Sequence, residues 1–512
     1  MNRLKASIAH VWEELSWRML SVAFFGSMAS TGFGFDQGWW GGALSSPQFT
    51  AAFGHYDAAT ESWAMTKTQQ SIGTGLGTVA VVIGLLLGAI LNERLGRWRT
   101  LLIQPLIAVV GIIIEATASN SFAQLIVGRV IVYLSGGIAT NVVPVYQAEC
   151  STGSLRGLMT TTYNGALMLG ALASSLVFYL SRHVDSQWSW RGVVVAQLAS
   201  PVLCLTGLFF LPESPRWLVT QGRVEDATQS LLILRGPSFE TGKEITLLKQ
   251  ALDNDSKTKV NSYLECFKGI NLRRTIIVVG VQVAQQALGI PFIANYLGVF
   301  LVQVGFTEPL LIVMLTYVIG VVASLVTMVT IDSAGRRSLL LWSAGLLAAL
   351  MFTVAGLTRN GSAGLSTDLQ KAAVTLLLLW FAVFQVTWGP IAWIVAAEIP
   401  GSLVREKSVA ISAFSSYAVG CAITFANPYV MSDISGKVGF IYGSFAVAAA
   451  VFVFFFVPEV KKRSLAEIDE LFGQRVPTRR FPSYVCQAGG NDDSEAIFQV
   501  EKIPNQVVVS QA

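Results

Sequence analysis

The chain has 512 residues, of which 53% are hydrophobic and only 13% charged, with a mean hydropathy of +0.57. A soluble domain carries about 25% charged residues, so the composition excludes an ordinary soluble protein and points to a polytopic membrane protein. The net charge of +4 decides little, because the charges gather in loops and tails. Five cysteines (Cys150, Cys204, Cys266, Cys421, Cys486) without paired spacing, and three scattered histidines (His10, His55, His183), supply neither a disulfide framework nor a metal site.

The N-terminal stretch Met1–Glu14 is mixed polar and lacks a signal-peptide pattern, which leaves the first span to act as its own insertion signal. A spanning helix takes about 20 mostly apolar residues. Twelve such stretches are predicted: 17–44, 68–91, 100–118, 121–147, 157–180, 190–211, 273–303, 308–331, 338–357, 372–397, 407–430 and 438–457. The first contains Gly32-Phe33-Gly34-Phe35-Asp36-Gln37-Gly38, and Asp36 is its only acid. A charge at mid-membrane costs about 2.5–3.5 kcal/mol on insertion scales, so Asp36 is expected to face a cavity or a partner. Its glycines predict a bend or a close helix approach. Arg129, at the start of the fourth span, stays protonated even in poor solvent and needs a carboxylate partner.

The polar interval 212–272 divides the spans six and six, giving bundles at 17–211 and 273–457 between an N-terminal segment 1–16 and a tail 458–512. The run Lys243–Lys259 mixes charges with leucines at helical spacing and predicts short surface helices. The tail is polar and is predicted to be disordered past Phe481. Arginines crowd the loops after spans 2 (Arg94, Arg97, Arg99), 8 (Arg336, Arg337) and 10 (Arg405), whereas the loop 45–67 holds only Lys67. Basic loops stay cytoplasmic. Both termini and the 212–272 interval are therefore predicted cytoplasmic, and the loop 358–371 extracellular. The sequon Asn360-Gly361-Ser362 is then available for glycosylation, while Asn254-Asp255-Ser256 should stay bare.

The two halves repeat each other. Glu93…Arg97 after span 2 matches Asp332…Arg336 after span 8. Glu149…Arg156 matches Glu398…Arg405 with the same spacing, and Pro212-Glu213 matches Pro458-Glu459. Parallel repeats with a site between the halves are how one large transporter class is built. Opposite charges at these helix ends can bridge neighbouring helices in a closed state, so Glu93, Arg97, Glu149, Arg156, Asp332, Arg336, Glu398 and Arg405 form a candidate gating network. Isolated exposed pairs are worth only about 0–1 kcal/mol, so such a network biases an equilibrium and does not lock it.

Two interior stretches add chemistry. Span 7 places Gln282, Gln285, Gln286 and Gly289 on one face. Amides there can bond the hydroxyls of a ligand or neighbouring helices. Span 10 contains Trp388-Gly389-Pro390-Ile391-Ala392-Trp393, where Gly-Pro loosens the helix and an indole beside the break can cover an apolar face of a ligand. Ordinary packing is the alternative for both tryptophans.

These motifs are similar to those of the major facilitator superfamily, and in particular to its sugar porter family. Glu93–Arg97 and Asp332–Arg337 resemble its loop signature. Pro212-Glu213-Ser214-Pro215-Arg216-Trp217-Leu218 resembles the signature after its sixth span. Gly128-Arg129, Pro144…Glu149 and Arg156-Gly157 follow its fourth-to-fifth-span pattern, and details look most like fungal sugar permeases. The resemblance implies an all-α fold of twelve transmembrane helices in two six-helix bundles, working by alternating access. It places Asp36 or Glu115 opposite Arg129 and makes Asp36 and Arg129 the proton-coupling pair; a static ion pair is the alternative. It makes Gln285, Gln286, Phe384 and Trp393 sugar contacts. Asn164 and Ser416 stand where longer amides are usual, and Pro291 replaces an amide for which Asn295 and Tyr296, one turn on, can compensate. The cavity is thus expected to be roomier or differently shaped.

An enzyme is not expected: the glycines of Gly73-Thr74-Gly75-Leu76-Gly77 lie inside a span and follow no strand. The expectation is a monomeric plasma-membrane transporter, without a cofactor or a nucleic-acid partner, that takes up a hexose, pentose or α-glucoside with a proton. An uncoupled facilitator and a transporter-like sensor are the alternatives.

Overall fold

The computed structural model describes residues 17–57, 62–119, 121–152, 156–237, 239–258, 262–306, 308–359, 366–401, 403–461, 463, 465–484 and 486. In lipid no water satisfies the peptide groups, so a spanning segment must close its own hydrogen bonds, and the chain is accordingly helical nearly throughout. The N-terminal half runs α1 (Trp17–Ala43), α2 (Pro47–Phe53), a small hairpin of β1 (His55–Asp57) and β2 (Ser62–Ala64), α3 (Lys67–Leu95), α4 (Arg97–Ala116), α5 (Phe122–Cys150), α6 (Arg156–Ser181), α7 (Trp188–Ala196) and α8 (Ala199–Leu208). Three short helices follow, α9 (Pro215–Thr220), α10 (Val224–Arg235) and α11 (Thr241–Thr258), of which only the last lies on the run Lys243–Lys259 where helix is predicted. The second half runs α12 (Gly269–Ala287), α13 (Ile290–Gln303), α14 (Pro309–Ala334), α15 (Arg336–Thr358), α16 (Thr367–Val386), α17 (Trp388–Glu398), α18 (Arg405–Ile434) and α19 (Val438–Phe456), and α20 (Leu465–Gly473) lies beyond it.

Among the described residues, 11 helical stretches are long and apolar enough to cross a membrane. They correspond to the second through twelfth predicted spans, with α7 and α8, α12 and α13, and α16 and α17 each forming one interrupted span. The first predicted span is α1. It has the length, at 27 residues, but its glycines, serines, tryptophans and Asp36 lower its hydropathy.

Those glycines serve close packing. A Cβ added at Gly34 would land on the Leu167 carbonyl, and one at Gly38 would come 2.5 Å from the Ala171 carbonyl, so α1 lies directly on the α6 backbone. The break in span 10 sits at Thr387 (φ −116, ψ −81). Pro390 has no N–H for the Val386 carbonyl, and the Thr327 hydroxyl on α14 lies 3.5 Å from that oxygen. Span 7 breaks as well, at Gly289 (φ +110), two residues before Pro291.

The chain folds back on itself after Pro458. Phe472 and Phe481 are buried against each other, and Arg273 of α12 donates to the Val476 carbonyl (3.1 Å) and Thr478 (2.8 Å). Order therefore runs to the point where disorder was expected to begin, and the residues past it lie, but for a few, outside those described.

Candidate functional site

In the N-terminal half, α1 and α5 bring Asp36 and Arg129 together. The Arg129 Nη1 lies 3.4 Å from Asp36 Oδ2, and the two side chains are 1% and 0% exposed. The rest of the guanidinium is satisfied: Nη2 donates to the Tyr133 hydroxyl (2.7 Å) and Nε to the Gly73 carbonyl (3.2 Å). Trp39 Nε1 donates to Asp36 Oδ1 at 2.8 Å. The guanidinium also lies over aromatic faces, 4.1 Å from the Trp40 ring centre, 4.7 Å from Tyr133 and 5.3 Å from Trp39. Desolvated contacts of this type reach about 2 kcal/mol. Phe49 of α2 packs edge-on against Trp39, Trp40 and Trp190, so aromatic side chains seal the pair at its α2 end. Glu115, on α4, is also fully buried, and neither of its oxygens has a hydrogen-bond partner among the described residues.

In the C-terminal half, the amide face of α12 meets the broken span 10. Gln285 Nε2 donates to the carbonyls of Trp388 (3.0 Å) and Gly389 (2.7 Å). Gln286 Nε2 donates to Ser416 Oγ of α18 at 3.2 Å. Trp393, one turn past Gly389 on the same face of α17, is 37% exposed, whereas Trp388 is fully buried. Asn164 is exposed on α6, one turn before Met168, whose sulfur lies 3.1 Å from Gln385 Nε2. Gln285, Gln286, Trp393 and Ser416 thus lie on α12, α17 and α18, which pack together, while Asn164 lies on α6, which reaches α16 through Met168.

Three expected contacts are used otherwise. Phe384 is buried and stacked on Trp380 (5.2 Å, 12°), away from any open surface. Asn295 donates within its own helix, to the Pro291 carbonyl at 3.0 Å. Tyr296 is fully buried, and its hydroxyl lies 2.9 Å from the Thr424 carbonyl and 3.4 Å from that of Gln70 across the interface between the halves.

At the end carrying the arginine-rich loops the halves repeat residue for residue. Gly96 (φ +92) and Gly335 (φ +83) turn the chain into α4 and α15, a backbone region open chiefly to glycine. Glu213 then accepts from the Arg97 and Trp98 amides (2.9 and 3.1 Å), and Glu459 from those of Arg336 and Arg337 (3.0 and 3.1 Å). Carboxylates suit these helix N-termini, whose first amides lack partners. Arg97 lies 2.8 and 2.9 Å from the two oxygens of Glu149, and Arg336 3.1 Å from Glu398. Both ion pairs stay within one half. Glu93 is exposed, Arg405 has no ion pair among the described residues, and the side chains of Arg156 and Asp332 lie outside them, as does Asn360.

The described polar contacts between the halves lie at the opposite end or at the centre. Lys67 pairs with Asp433 (3.2 Å), Thr68 Oγ1 lies 3.4 Å from the Tyr429 hydroxyl, and Ser71 donates to the Phe425 carbonyl (2.9 Å), all between α3 and α18. The backbones of α1 and α13 meet there too, at Gly41 and Gly298.

A sequence profile described as "Sugar (and other) transporter" matches residues 22–472. The chain belongs to the sugar transporter family. Among curated relatives it is similar to the high-affinity glucose transporter 1 of Candida albicans, 28% identical over 95% of this chain and 91% of that one. It is also similar to the high glucose sensor RGT2 of Saccharomyces cerevisiae, 30% identical over 92% of this chain; the match spans 62% of the sensor's length. Among solved structures, the inward open conformation of the xylose transporter XylE from E. coli superposes with a TM-score of 0.74 at 23% identity, covering 88% of this chain and 99% of that one. The fold is that of the major facilitator superfamily, with twelve transmembrane helices, and its members are transporters and not enzymes.

Sequence reasoning on this sugar transporter missed the aromatic box. Trp39 and Trp40 follow Asp36 at the i+3 and i+4 spacing that puts them on its face, and that was the available signal. It also missed the break at Gly289 and the use of Tyr296 at the interface, which depends on a contact with α3 that no local pattern reveals.

Proposed function

We propose that this transporter takes up a sugar across the plasma membrane together with a proton, by alternating access between residues 17–211 and 273–457. The buried Asp36–Arg129 pair carries this reading. An acid with one salt-bridge partner in a sealed interior is a place where a proton can replace a cation as the neutralising charge. The basic end is cytoplasmic by its loop charges, with both termini on that side. The form described is then the one closed to the outside, in line with the inward open XylE structure it superposes on. Another XylE structure is described as that of a proton:xylose symporter. Gln285, Gln286, Ser416, Asn164 and Trp393 bind the sugar, which the shorter Asn164 and Ser416 leave open to a hexose, a pentose or an α-glucoside. The Arg97–Glu149 and Arg336–Glu398 pairs regroup across the halves when the cytoplasmic end closes.

The deciding experiment is sugar-induced alkalinisation of the medium by transport-deficient cells. Wild type should show it, and Asp36→Asn should lose it along with uphill accumulation, while keeping sugar exchange. Equal proton signals in the two remove Asp36 from coupling, and no signal in wild type leaves a facilitator. The likeness to a glucose sensor favours a second reading, in which sugar binds but does not cross. Uptake of labelled sugar into proteoliposomes would exclude it.

A further inference from the structure

The buried face of α4 carries Gln104, Ala108, Gly111 and Ile112, and then ends on Glu115. The acid lies against the next helix where that helix has no side chain: a Cβ added at Gly128 would come 2.7 Å from Glu115 Cγ. The following residue is Arg129. Its guanidinium is already committed to Asp36, Tyr133 and Gly73. Two acids and one base are therefore buried together, and one acid has no donor. With both acids ionised the interior would hold an uncompensated negative charge, which a water-excluded site disfavours strongly.

We propose that Glu115 is a second proton-binding carboxylate, and that one proton is shared between it and Asp36 while Arg129 pairs with whichever acid is bare. In the form described the proton is on Glu115. Its transfer breaks the O–H bond of Glu115 and forms one on Asp36; Arg129 keeps its protons and moves to the Glu115 carboxylate, so the site stays neutral. The titratable and charged groups around Glu115 are Asp36 from α1, Arg129 and Tyr133 from α5, and Arg191 from α7, which donates to the Ala118 carbonyl at 2.8 Å. Tyr317 of α14 stands behind Tyr133. The part Glu115 plays in coupling rests on the symport reading; its protonation does not.

Infrared spectroscopy of the purified full-length protein in lipid, in the protonated-carboxyl region at neutral pH, tests this directly. Wild type should show a band that Glu115→Gln loses and Glu115→Asp shifts. Asp36→Asn should lose it too, because Glu115 must then ionise to serve Arg129. A purely structural buried acid would keep its band in Asp36→Asn, and that result overturns the sharing. No band in wild type, or one unchanged in Glu115→Gln or Glu115→Asp, overturns the assignment. If Glu115→Gln does not fold, Glu115→Asp decides. Symport can fail separately, through absence of the sugar-induced proton signal, without moving this band.

Discussion

The two halves of the molecule share their basic ends and differ at their centres. Glu213 and Glu459 cap equivalent helices, and Arg97–Glu149 and Arg336–Glu398 are equivalent ion pairs. Inside the membrane the N-terminal half buries Asp36, Glu115 and Arg129, whereas the spans of the C-terminal half bury amides and hydroxyls, such as Gln282, Gln285, Ser416 and Asn427; among the described residues their one buried charge, Arg274, lies in the first turns of α12 and pairs with Asp469. The two bundles share one scaffold, and the ends that hold each together are alike. The centres differ, one burying charge and the other neutral polar groups. On the symport reading, coupling passes through the surface where the halves touch, which α3, α13 and α18 form at the end away from the arginine-rich loops.

This contrast is broken most directly at Arg129. Arg129→Ala removes the cation from a site that keeps two acids, and breaking a buried pair from one side costs about 3–5 kcal/mol. The melting temperature in detergent should fall further than for any single change at a C-terminal amide. An equal fall in Gln282→Ala, whose amide has no partner among the described residues, would end the distinction.

The sugar side is tested by Gln285→Ala and Trp393→Ala. Loss of one buried hydrogen bond to a ligand costs about 1–3 kcal/mol, so counterflow affinity should weaken by that amount in Gln285→Ala and comparably in Trp393→Ala. Proton coupling should persist in both. Unchanged affinity at normal surface expression takes these residues out of the site.

Much of this was legible beforehand, for physical reasons. Twelve spans follow from hydropathy because lipid forbids most alternatives, and Asp36 and Arg129 stand out because a charge there demands a partner. The burial of Phe384 was not legible because an aromatic side chain looks the same whether it lines a cavity or fills a core; its stack on Trp380 depends on how α16 turns. The ion pairs at the basic end were foreseen as charges, but nothing in the sequence says whether they close within a half or between halves. That depends on which end is shut.

A smaller effect is expected where the halves are most alike. Arg97 meets both oxygens of Glu149, which also accepts from Ser214 at 2.6 Å, while the Arg336–Glu398 contact is longer at 3.1 Å. Charged hydrogen bonds of this type contribute about 1–3 kcal/mol, and partial exposure lowers that figure. Glu149→Gln should therefore reduce thermal stability more than Glu398→Gln. The reverse order would make the C-terminal pair the stronger tie.

The smallest effect concerns Glu213. It accepts from the amides of Arg97, Trp98 and Ser214, yet burial outweighs these bonds and holds its carboxyl above the usual glutamate range. The folded protein therefore binds a proton at Glu213 more readily than the unfolded chain does. By linkage, the stabilisation from that proton is complete below the ordinary glutamate value of about 4.3 and is lost as pH rises through the higher folded value. Glu213→Gln cannot titrate, so the melting temperature of wild type relative to this variant should fall as pH is raised across that window. The opposing amide bonds keep the slope shallow. A difference that stays constant, or grows with pH, would mean that the three amides win and the cap is held as a carboxylate. Running Glu459→Gln beside it shows whether the slope belongs to the N-terminal half alone.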